Sequence, residues 1–286
     1  MSASRLTRVL ALVLCLGLVP LAAPAAAQQG QQAKPTEKTY QPEVGQAGKD
    51  VVWVPTSEAL VQRMLDMAKV TPKDFVIDLG SGDGRTVIAA ARRGARALGI
   101  EYNPDMVELS KKNAEAAGVG ERASFQKADL FETDFSKASV ITMFLLPSIN
   151  MKLRPTLLKL RPGTRIVSNT FTMEDWEPDE TATVSEGCTS WCNALLWIVP
   201  AQAQGTWETP QGRLRISQTF QVVSGTLGSA PITGKLRGNQ IAFTAGKRQY
   251  TAQVNGDTME GTAVNGAQNQ PFKATRVPTP IGQPGK

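Results

Sequence analysis

The most consequential absence from this chain of 286 residues is histidine, which does not occur in it at all. Without histidine, catalytic arrangements of the Ser-His-Asp and Cys-His types are excluded. Cysteine is also scarce, with three residues in the chain. Because there is neither a histidine nor a second pair of cysteines to complete a ligand set, we expect no metal site.

Acidic residues are few in the C-terminal part of the chain. Residues 205–286 hold nine Lys or Arg and three Asp or Glu, a net charge of +6, whereas residues 28–204 hold 20 against 22, a net of −2. The basic excess suits an anionic membrane surface or an acidic partner, and a solvated basic face is its more ordinary explanation. We expect no nucleic-acid partner.

The N-terminal segment has the layout of a secretory signal. Arg5 and Arg8 precede the apolar run VLALVLCLGLVPLAA, and three alanines end at Ala27. This order predicts a signal peptide over residues 1–27 and export to the periplasm, with an uncleaved membrane anchor as the alternative. The polar residues 28–50, rich in Gln, Lys, Gly and Pro, predict a flexible linker.

Two cysteines remain beyond that segment, Cys188 and Cys192 in GCTSWC. An even number is typical of a disulfide in an oxidising compartment. Residues four apart in an extended strand are separated by about 13 Å and cannot bond, whereas in a loop they can approach closely enough. A disulfide is therefore expected if this segment is a loop between strands.

Strand-like and helical patterns alternate over residues 51–204, which predicts an α/β domain with a parallel sheet. The runs ETATVSE and NALLWIVPA are separated only by GCTSWC, too short for a parallel crossover, so they should form an antiparallel hairpin. Residues 205–277 consist of short alternating runs broken by Gly, Asn and Asp, which predict a small all-β domain, a barrel or a sandwich. Residues 278–286 are expected to be a disordered tail.

A glycine-rich loop follows the first strand of this pattern. It reads Asp78-Leu-Gly80-Ser-Gly82-Asp-Gly84 and leads into a helical stretch. Glycines allow a ligand to approach the main chain closely, and the free N–H groups of the following helix face the crevice at the strand ends. The spacing is GxGxG and differs from the GxGxxG expected for a dinucleotide.

Acidic residues end three successive strands of the pattern. Asp78 ends the first, Glu101 ends the second seventeen residues beyond Gly84, and Asp129 ends the third. A carboxylate at the end of the second strand suits a ribose diol, and one at the end of the third accepts from an exocyclic amine. The alternative is that all three are ordinary solvated acids at strand ends.

The motifs VIDLGSGDG, GIE and KADLF resemble those of the class I S-adenosylmethionine-dependent methyltransferases, over about residues 50–200. The resemblance implies a Rossmann-like sheet of seven strands, with NALLWIVPA as the antiparallel last strand, and S-adenosyl-L-methionine as cofactor. It implies that the loop contacts the amino-acid part of the cofactor, Glu101 its ribose, and Asp129 with Leu130 its adenine. The loop residues so implied are Asp78, Gly80, Ser81, Gly82 and Gly84.

A narrower resemblance rests on WVPTSEALVQRML, DLGSGDGRTVIAAA and FLLPSINMKLRPTLLKLRPGTRIVS. These are similar to the group that contains the mitochondrial lysine methyltransferases of the ATP synthase c subunit and the adenine nucleotide translocase. That similarity implies that Trp53, Pro55 and Thr56 close over the cofactor. It also implies an acceptor entrance over residues 144–150, for which we select Phe144, Pro147 and Asn150. The related histone enzymes have an Asn-rich segment where this chain has MFLLPSIN, so the acceptor is open.

Three functions follow from these patterns. The first is a methyltransferase acting on a protein lysine, whose pKa an apolar entrance would lower by desolvation. The second is a methyltransferase of a small molecule, a quinone or a lipid. The third is an exported binding module that keeps the cofactor fold without catalysis. The acids of the loop favour the first two, and the signal segment favours the third, because S-adenosylmethionine is made in the cytoplasm.

Overall fold

The computed structural model describes residues 40–278. The predicted signal peptide lies outside this range, as do residues 28–39 of the predicted linker and residues 279–286 of the predicted tail. Within the described range, no helix combines the length and the apolar character needed to cross a bilayer.

The first part of the described chain alternates strands and helices, as the apolar periodicity predicts. Its helices are α1 (Glu58–Met67), α2 (Arg85–Arg92), α3 (Pro104–Ala116) and α4 (Pro147–Leu157). Its strands are β1 (Phe75–Leu79), β2 (Arg96–Glu101), β3 (Ala123–Lys127), β4 (Val140–Met143), β5 (Arg165–Asn169), β6 (Glu180–Thr183) and β7 (Asn193–Ile198).

These seven strands form one sheet in the order β3-β2-β1-β4-β5-β7-β6. Strand β7 pairs antiparallel with both β5 and β6, and the other pairs are parallel. The predicted Rossmann-like sheet with an antiparallel NALLWIVPA strand is confirmed. Strands β2 and β4 lie on opposite sides of β1, so the winding of the sheet reverses there, and a crevice opens at the carboxyl ends of these strands.

Each face of the sheet is covered by helices through its own hydrophobic cluster. Along β1, Val76 belongs to the cluster that includes residues of α1, α2 and α3, whereas Ile77 and Leu79 belong to the cluster that includes residues of α4. This follows from the strand pleat, which sends neighbouring side chains to opposite faces. Asp78 is the last residue but one of β1 and lines the crevice.

The remaining strands close into an antiparallel barrel, which decides between the predicted barrel and sandwich. Aromatic side chains fill its interior, and the rings of Phe243 and Tyr250 stack with centroids 4.7 Å apart. The strands are β8 (Gly205–Thr209), β9 (Gly212–Thr219), β10 (Val222–Leu227), β11 (Ala230–Arg237), β12 (Gln240–Ala245), β13 (Arg248–Asn255), β14 (Thr258–Asn265) and β15 (Gln268–Arg276).

The barrel contacts the sheet domain beside β6 and β7. Gln221 Nε2 donates to the backbone oxygen of Glu177 at 2.8 Å, and the ring of Phe220 stacks on Trp176 with centroids 5.8 Å apart. Arg237 forms an ion pair with Glu180 at 2.5 Å. The barrel is therefore attached at the antiparallel edge of the sheet.

Candidate active site

A cleft opens at the carboxyl ends of β1, β2 and β4, the place where open α/β sheets bind ligands. All of its lining residues lie between Gln46 and Trp191, so the barrel contributes none of them. The structure places nearly all of the predicted cofactor residues in its wall: Trp53, Pro55, Thr56, Asp78, Gly80, Ser81, Gly82, Glu101, Asp129 and Leu130.

The loop after β1 needs glycine because of what lies next to it. Gly80 N and Ser81 N both donate to the backbone oxygen of Ile100, at 2.9 and 3.0 Å, which folds the loop back over β2. Gly82 has a φ of +54°, and a Cβ there would lie 2.5 Å from Nε1 of Trp53. The indole and the loop therefore form one packed wall that a side chain at Gly82 would disrupt.

Gly84 has a different role from the one that the family resemblance implies. It does not line the cleft but caps α2 with a φ of +83°. A Cβ at this position would lie 2.8 Å from the Phe125 ring and 2.9 Å from the Ser110 side chain. Gly84 is thus required for packing the helix onto β3 and α3, and the prediction of a cofactor contact does not match its position.

Asp78 is a buried carboxyl whose only hydrogen-bond donor among the described residues is neutral. Thr142 Oγ1 donates to Asp78 Oδ1 at 2.6 Å. Burial raises the pKa of Asp78 to about 7, the Thr142 bond lowers it, and the nearby Glu101 and Asp83 carboxylates raise it. A cation bound in the cleft would reverse this shift, so the environment of Asp78 suits a positively charged ligand.

Glu101 is held by two backbone groups. Gly82 N donates to Oε2 and Asn103 N donates to Oε1, both at 2.9 Å. A carboxylate has about four lone-pair positions, so each oxygen keeps one for a ligand hydroxyl. The side chain is therefore oriented in advance, as a ribose diol requires.

Asp129 is engaged on both oxygens. Phe131 N donates to Oδ1 at 2.9 Å, and Lys49 forms an ion pair with Oδ2. The Lys49 hydrogen bond, followed by the bond from Phe131, holds the pKa of Asp129 below its ordinary value. The Lys49 ammonium also lies 5.0 Å from the centroid of the Tyr102 ring. Sequence reasoning missed Lys49, because no local pattern connects it to a residue 80 positions away.

Lys49 belongs to the part of the predicted linker that the structure describes, residues 40–50. Gly45 N donates to the backbone oxygen of Trp53 at 2.8 Å, and Trp53 N donates to that of Gln46 at 2.9 Å. Residues 46–50 line the cleft. Residues 40–50 of the predicted linker therefore include a hydrogen-bonded turn beside the cleft.

Arg85 connects the loop to the segment before α1. Its guanidinium forms a bidentate pair with Asp83, with Nε 3.0 Å from Oδ1 and Nη2 2.6 Å from Oδ2, and Nη1 donates to the Thr56 oxygen at 2.8 Å. Asn169 Nδ2, at the end of β5, donates to Thr56 Oγ1 at 3.1 Å. Sequence reasoning missed Arg85 and Asn169, although the DGR sequence is a local signal for the first.

The acceptor side of the cleft differs from the prediction in two of its three residues. Phe144 lines it, together with Leu145, Leu146 and Ile149. Pro147 begins α4 on the outside, and Asn150 is fully buried, with Nδ2 donating to the backbone oxygens of Phe171 and Thr172 at 3.3 and 3.1 Å. Neither Pro147 nor Asn150 is therefore among the residues that line the cleft.

Two aromatic residues that sequence reasoning missed complete this side. Phe171 and Trp191 line the cleft beside Phe144. Trp191 lies inside the loop between Cys188 and Cys192, which are joined by a disulfide. A tryptophan enclosed by two cysteines in GCTSWC was the available sequence signal for it.

The cleft fits S-adenosylmethionine. Asp78 lacks a cationic partner among the described residues and suits the ammonium group, Glu101 is oriented for the ribose hydroxyls, and the glycine loop provides the close approach that a Cβ would block. No cluster of residues suited to a metal ion occurs within residues 40–278. The fold and the site together define an S-adenosylmethionine-dependent methyltransferase.

Comparison with known proteins gives the family. The family model of the ANTKMT methyltransferase domain matches residues 78–180. A protein-lysine N-methyltransferase of Saccharolobus islandicus is 46% identical over 140 residues, which cover 48% of this chain and 87% of that protein. The chain belongs to this methyltransferase family.

Two further similarities differ in how much of the other protein the match covers. The lysine N-methyltransferase of the ATP synthase c subunit in Mus musculus is 36% identical over 45% of this chain, which spans about half, 52%, of that protein. A solved RNA methyltransferase from Salinibacter ruber in complex with S-adenosyl-L-homocysteine is 48% identical, with a TM-score of 0.49 over 52% of this chain and 95% of that one.

Proposed function

We propose that this methyltransferase transfers a methyl group to the side-chain amine of a protein lysine. The observation that carries the proposal is the similarity to the Saccharolobus islandicus protein, which is named a protein-lysine N-methyltransferase and is matched over 87% of its length. The apolar and aromatic acceptor side of the cleft supports it. Small-molecule, quinone and lipid acceptors, and a non-catalytic binding module, are the alternatives.

The residues of the cleft supply position and exclude water. S-adenosylmethionine, when bound, supplies a methyl group on a sulfonium, which is reactive toward a neutral amine. Holding an acceptor in line and close to such a group contributes roughly 7 to 11 kcal/mol to lowering the barrier. Leu145 and Leu146, which line the acceptor side, favour the neutral amine over the ammonium by desolvation.

The experiment is a labelling assay with fractionated acceptors. The protein is incubated with methyl-labelled S-adenosylmethionine and separated envelope and soluble fractions, and labelled proteins are hydrolysed to amino acids. We expect label in a protein, recovered as methylated lysine, and its loss on Glu101→Ala. The matched control is Glu260→Ala, an exposed barrel acid paired with Lys273, which should leave labelling unchanged.

Other results of this assay would replace the proposal. Label recovered only in the lipid or small-molecule extract would establish one of the alternative acceptors. Failure to bind S-adenosylmethionine in calorimetry would favour the non-catalytic module.

We further propose that the protein is exported. The support is the order of Arg5, Arg8, the apolar run and the alanines ending at Ala27, which is typical of a secretory signal. Cysteine pairs such as that of GCTSWC persist in oxidising compartments. A reporter that is active only in the periplasm, fused after Lys286, should be active, and an inactive fusion that is present in the cytoplasm would contradict export.

A further inference from the structure

Three aromatic side chains from different parts of the chain meet on the acceptor side of the cleft. The rings of Phe144 and Phe171 stack with centroids 5.8 Å apart, and the indole of Trp191 lies 5.3 Å from Phe171 and 6.2 Å from Phe144. Trp191 is 45% exposed, unusual for so large an apolar side chain. We call these three residues the aromatic wall.

The aromatic wall is held by its backbone. Thr170 N donates to the backbone oxygen of Asn193 at 2.7 Å, which connects the loop carrying Phe171 to the loop carrying Trp191. The disulfide between Cys188 and Cys192 closes the second loop around Trp191. The backbone that carries the indole is therefore held on both sides.

Two residues of these loops have backbone angles that side chains rarely adopt. Thr170 has a φ of +58° and Trp191 a φ of +57°. For β-branched and bulky residues such values are uncommon and energetically unfavourable. Strain of this kind persists where the surrounding structure enforces it, and it is concentrated at ligand-binding sites.

The occupant of the aromatic wall shares the cleft with the cofactor. Phe144, Phe171 and Trp191 line the same cleft as Asp78 and Gly80. Leu145, next to Phe144, packs beneath the glycine loop, where a Cβ on Gly80 would lie 3.2 Å from its Cδ2. A group resting on the wall therefore shares the cleft with the predicted cofactor residues, so we take it to be the methyl acceptor.

We propose that the aromatic wall binds the acceptor as an alkylammonium, with Trp191 as a specificity-determining residue positioned by the Cys188–Cys192 disulfide. The negative faces of aromatic rings attract ammonium and methylammonium groups, and several rings together select them over neutral groups of the same shape. That the ammonium belongs to a lysine rests on the proposed function. The wall would bind the incoming ammonium and retain the methylammonium product between successive transfers. The ammonium releases its proton to solvent before each transfer, because only the neutral amine has the lone pair that accepts the methyl group.

The test compares a cation with its neutral isostere. The full protein, saturated with S-adenosyl-L-homocysteine, is titrated with Nε-trimethyllysine amide and with the analogue in which a carbon replaces the quaternary nitrogen. We expect the cation to bind about 5 to 30 times more tightly. Trp191→Leu should remove this preference, and Trp191→Phe should keep most of it.

The disulfide is tested by the double variant Cys188→Ser with Cys192→Ser. It should weaken binding of the cation while leaving the affinity for S-adenosyl-L-homocysteine unchanged, and the same unchanged affinity shows that the Trp191 variants are folded. Equal binding of the two probes, binding of neither probe, or an unaltered preference in Trp191→Leu would overturn the inference.

The outcome is separable from that of the proposed function. If labelled lysine is found but Trp191→Leu keeps the cation preference, the inference fails and the lysine methyltransferase stands. If the preference depends on Trp191 but label appears only in a small-molecule or lipid amine, the lysine acceptor fails and the aromatic wall stands.

Discussion

Strand β1 has a buried aspartate at each end, and the two are held in opposite ways. Asp74 precedes the strand and is 8% exposed, while Asp78 lies near its carboxyl end and is 6% exposed. Asp74 accepts from Thr71 N at 2.8 Å and from Ser139 Oγ at 2.7 Å, and it forms an ion pair with Arg165. These partners hold the pKa of Asp74 below its ordinary value, although burial raises it.

Asp78 receives a single hydrogen bond from Thr142, and burial raises its pKa to about 7. The two side chains have similar exposed surface, but Asp78 lies deeper below the protein surface, so its raised pKa reflects both deeper burial and the lack of a cationic partner among the described residues. At the closed end of the sheet the protein provides the charge that compensates Asp74. At the cleft end the compensating positive charge would come from the bound cofactor. Titratable groups with strongly shifted pKa values are common at functional sites for this reason.

The largest effect is expected at the closed end. Asp74→Ala leaves the Arg165 guanidinium without its partner and should lower the free energy of unfolding by about 2 to 4 kcal/mol. Urea unfolding measures this. The affinity of the folded protein for S-adenosylmethionine should stay within about twofold, because the two ends of β1 act independently. A large loss of cofactor affinity in Asp74→Ala would show that the two ends of β1 do not act independently.

At the cleft end, Glu101→Ala should act on the cofactor. Its carboxylate is oriented by Gly82 N and Asn103 N toward a ribose diol, and a hydrogen bond to a charged group is worth about 1.5 to 3 kcal/mol. Calorimetry should therefore show a loss of S-adenosylmethionine affinity of about tenfold to a hundredfold. Unchanged affinity would show that Glu101 does not bind the cofactor.

The raised pKa of Asp78 predicts a pH dependence of binding. As the pH falls below about 7, Asp78 becomes protonated in the free protein, and affinity for the cationic cofactor should fall, approaching about tenfold per pH unit. Asp78→Asn should flatten this profile between about pH 5.5 and 8, whereas the control Asp74→Asn, measured where it is folded, should keep it.

The raised pKa of Asp78 also predicts that the stability of the cofactor-free protein changes with pH in the opposite direction to cofactor affinity. The unfolded chain releases the Asp78 proton near the ordinary pKa of about 4, and the folded protein retains it until about 7, so stability should fall as the pH rises through this interval. Urea unfolding at successive pH values measures the slope, and Asp78→Asn should reduce it. A slope that Asp78→Asn leaves unaltered would place the titration elsewhere.

The smallest effect is expected where the barrel meets the sheet. Arg237 and Glu180 form an ion pair with both side chains nearly half exposed, and exposed pairs contribute at most about 1 kcal/mol. Arg237→Ala should therefore change the free energy of unfolding by less than about 1 kcal/mol and leave cofactor binding unchanged. A loss of binding would connect the barrel to the cleft.

The fold was predictable because its signals are local. The strand and helix periods and the short GCTSWC connection each specify an element from neighbouring residues. The choice between barrel and sandwich was not predictable, because alternating strands suit both and closure depends on the pairing of the first strand, β8, with the last, β15.

The residues of the site were predictable where their positions follow directly from the order of the strands along the chain. Asp78, Glu101 and Asp129 end strands that the sheet brings together, so their spacing was informative. Lys49, Phe171 and Trp191 reach the cleft through contacts between distant segments, which no spacing records. Pro147 and Asn150 do not line the cleft, although the motif that contains them does reach it. A motif indicates a segment of the chain, and the rotation of α4 about its axis determines which side chains of that segment face the cleft.

The most direct test of the contrast between the two aspartates is a measurement of the pKa of Asp78 by carbon NMR of its carboxyl group. In the free protein it should titrate near 7, and saturation with S-adenosylmethionine should lower its pKa well below that value, while the pKa of Asp74 stays unchanged. A pKa of Asp78 that is ordinary in the free protein, or that the cofactor leaves unaltered, would contradict the account.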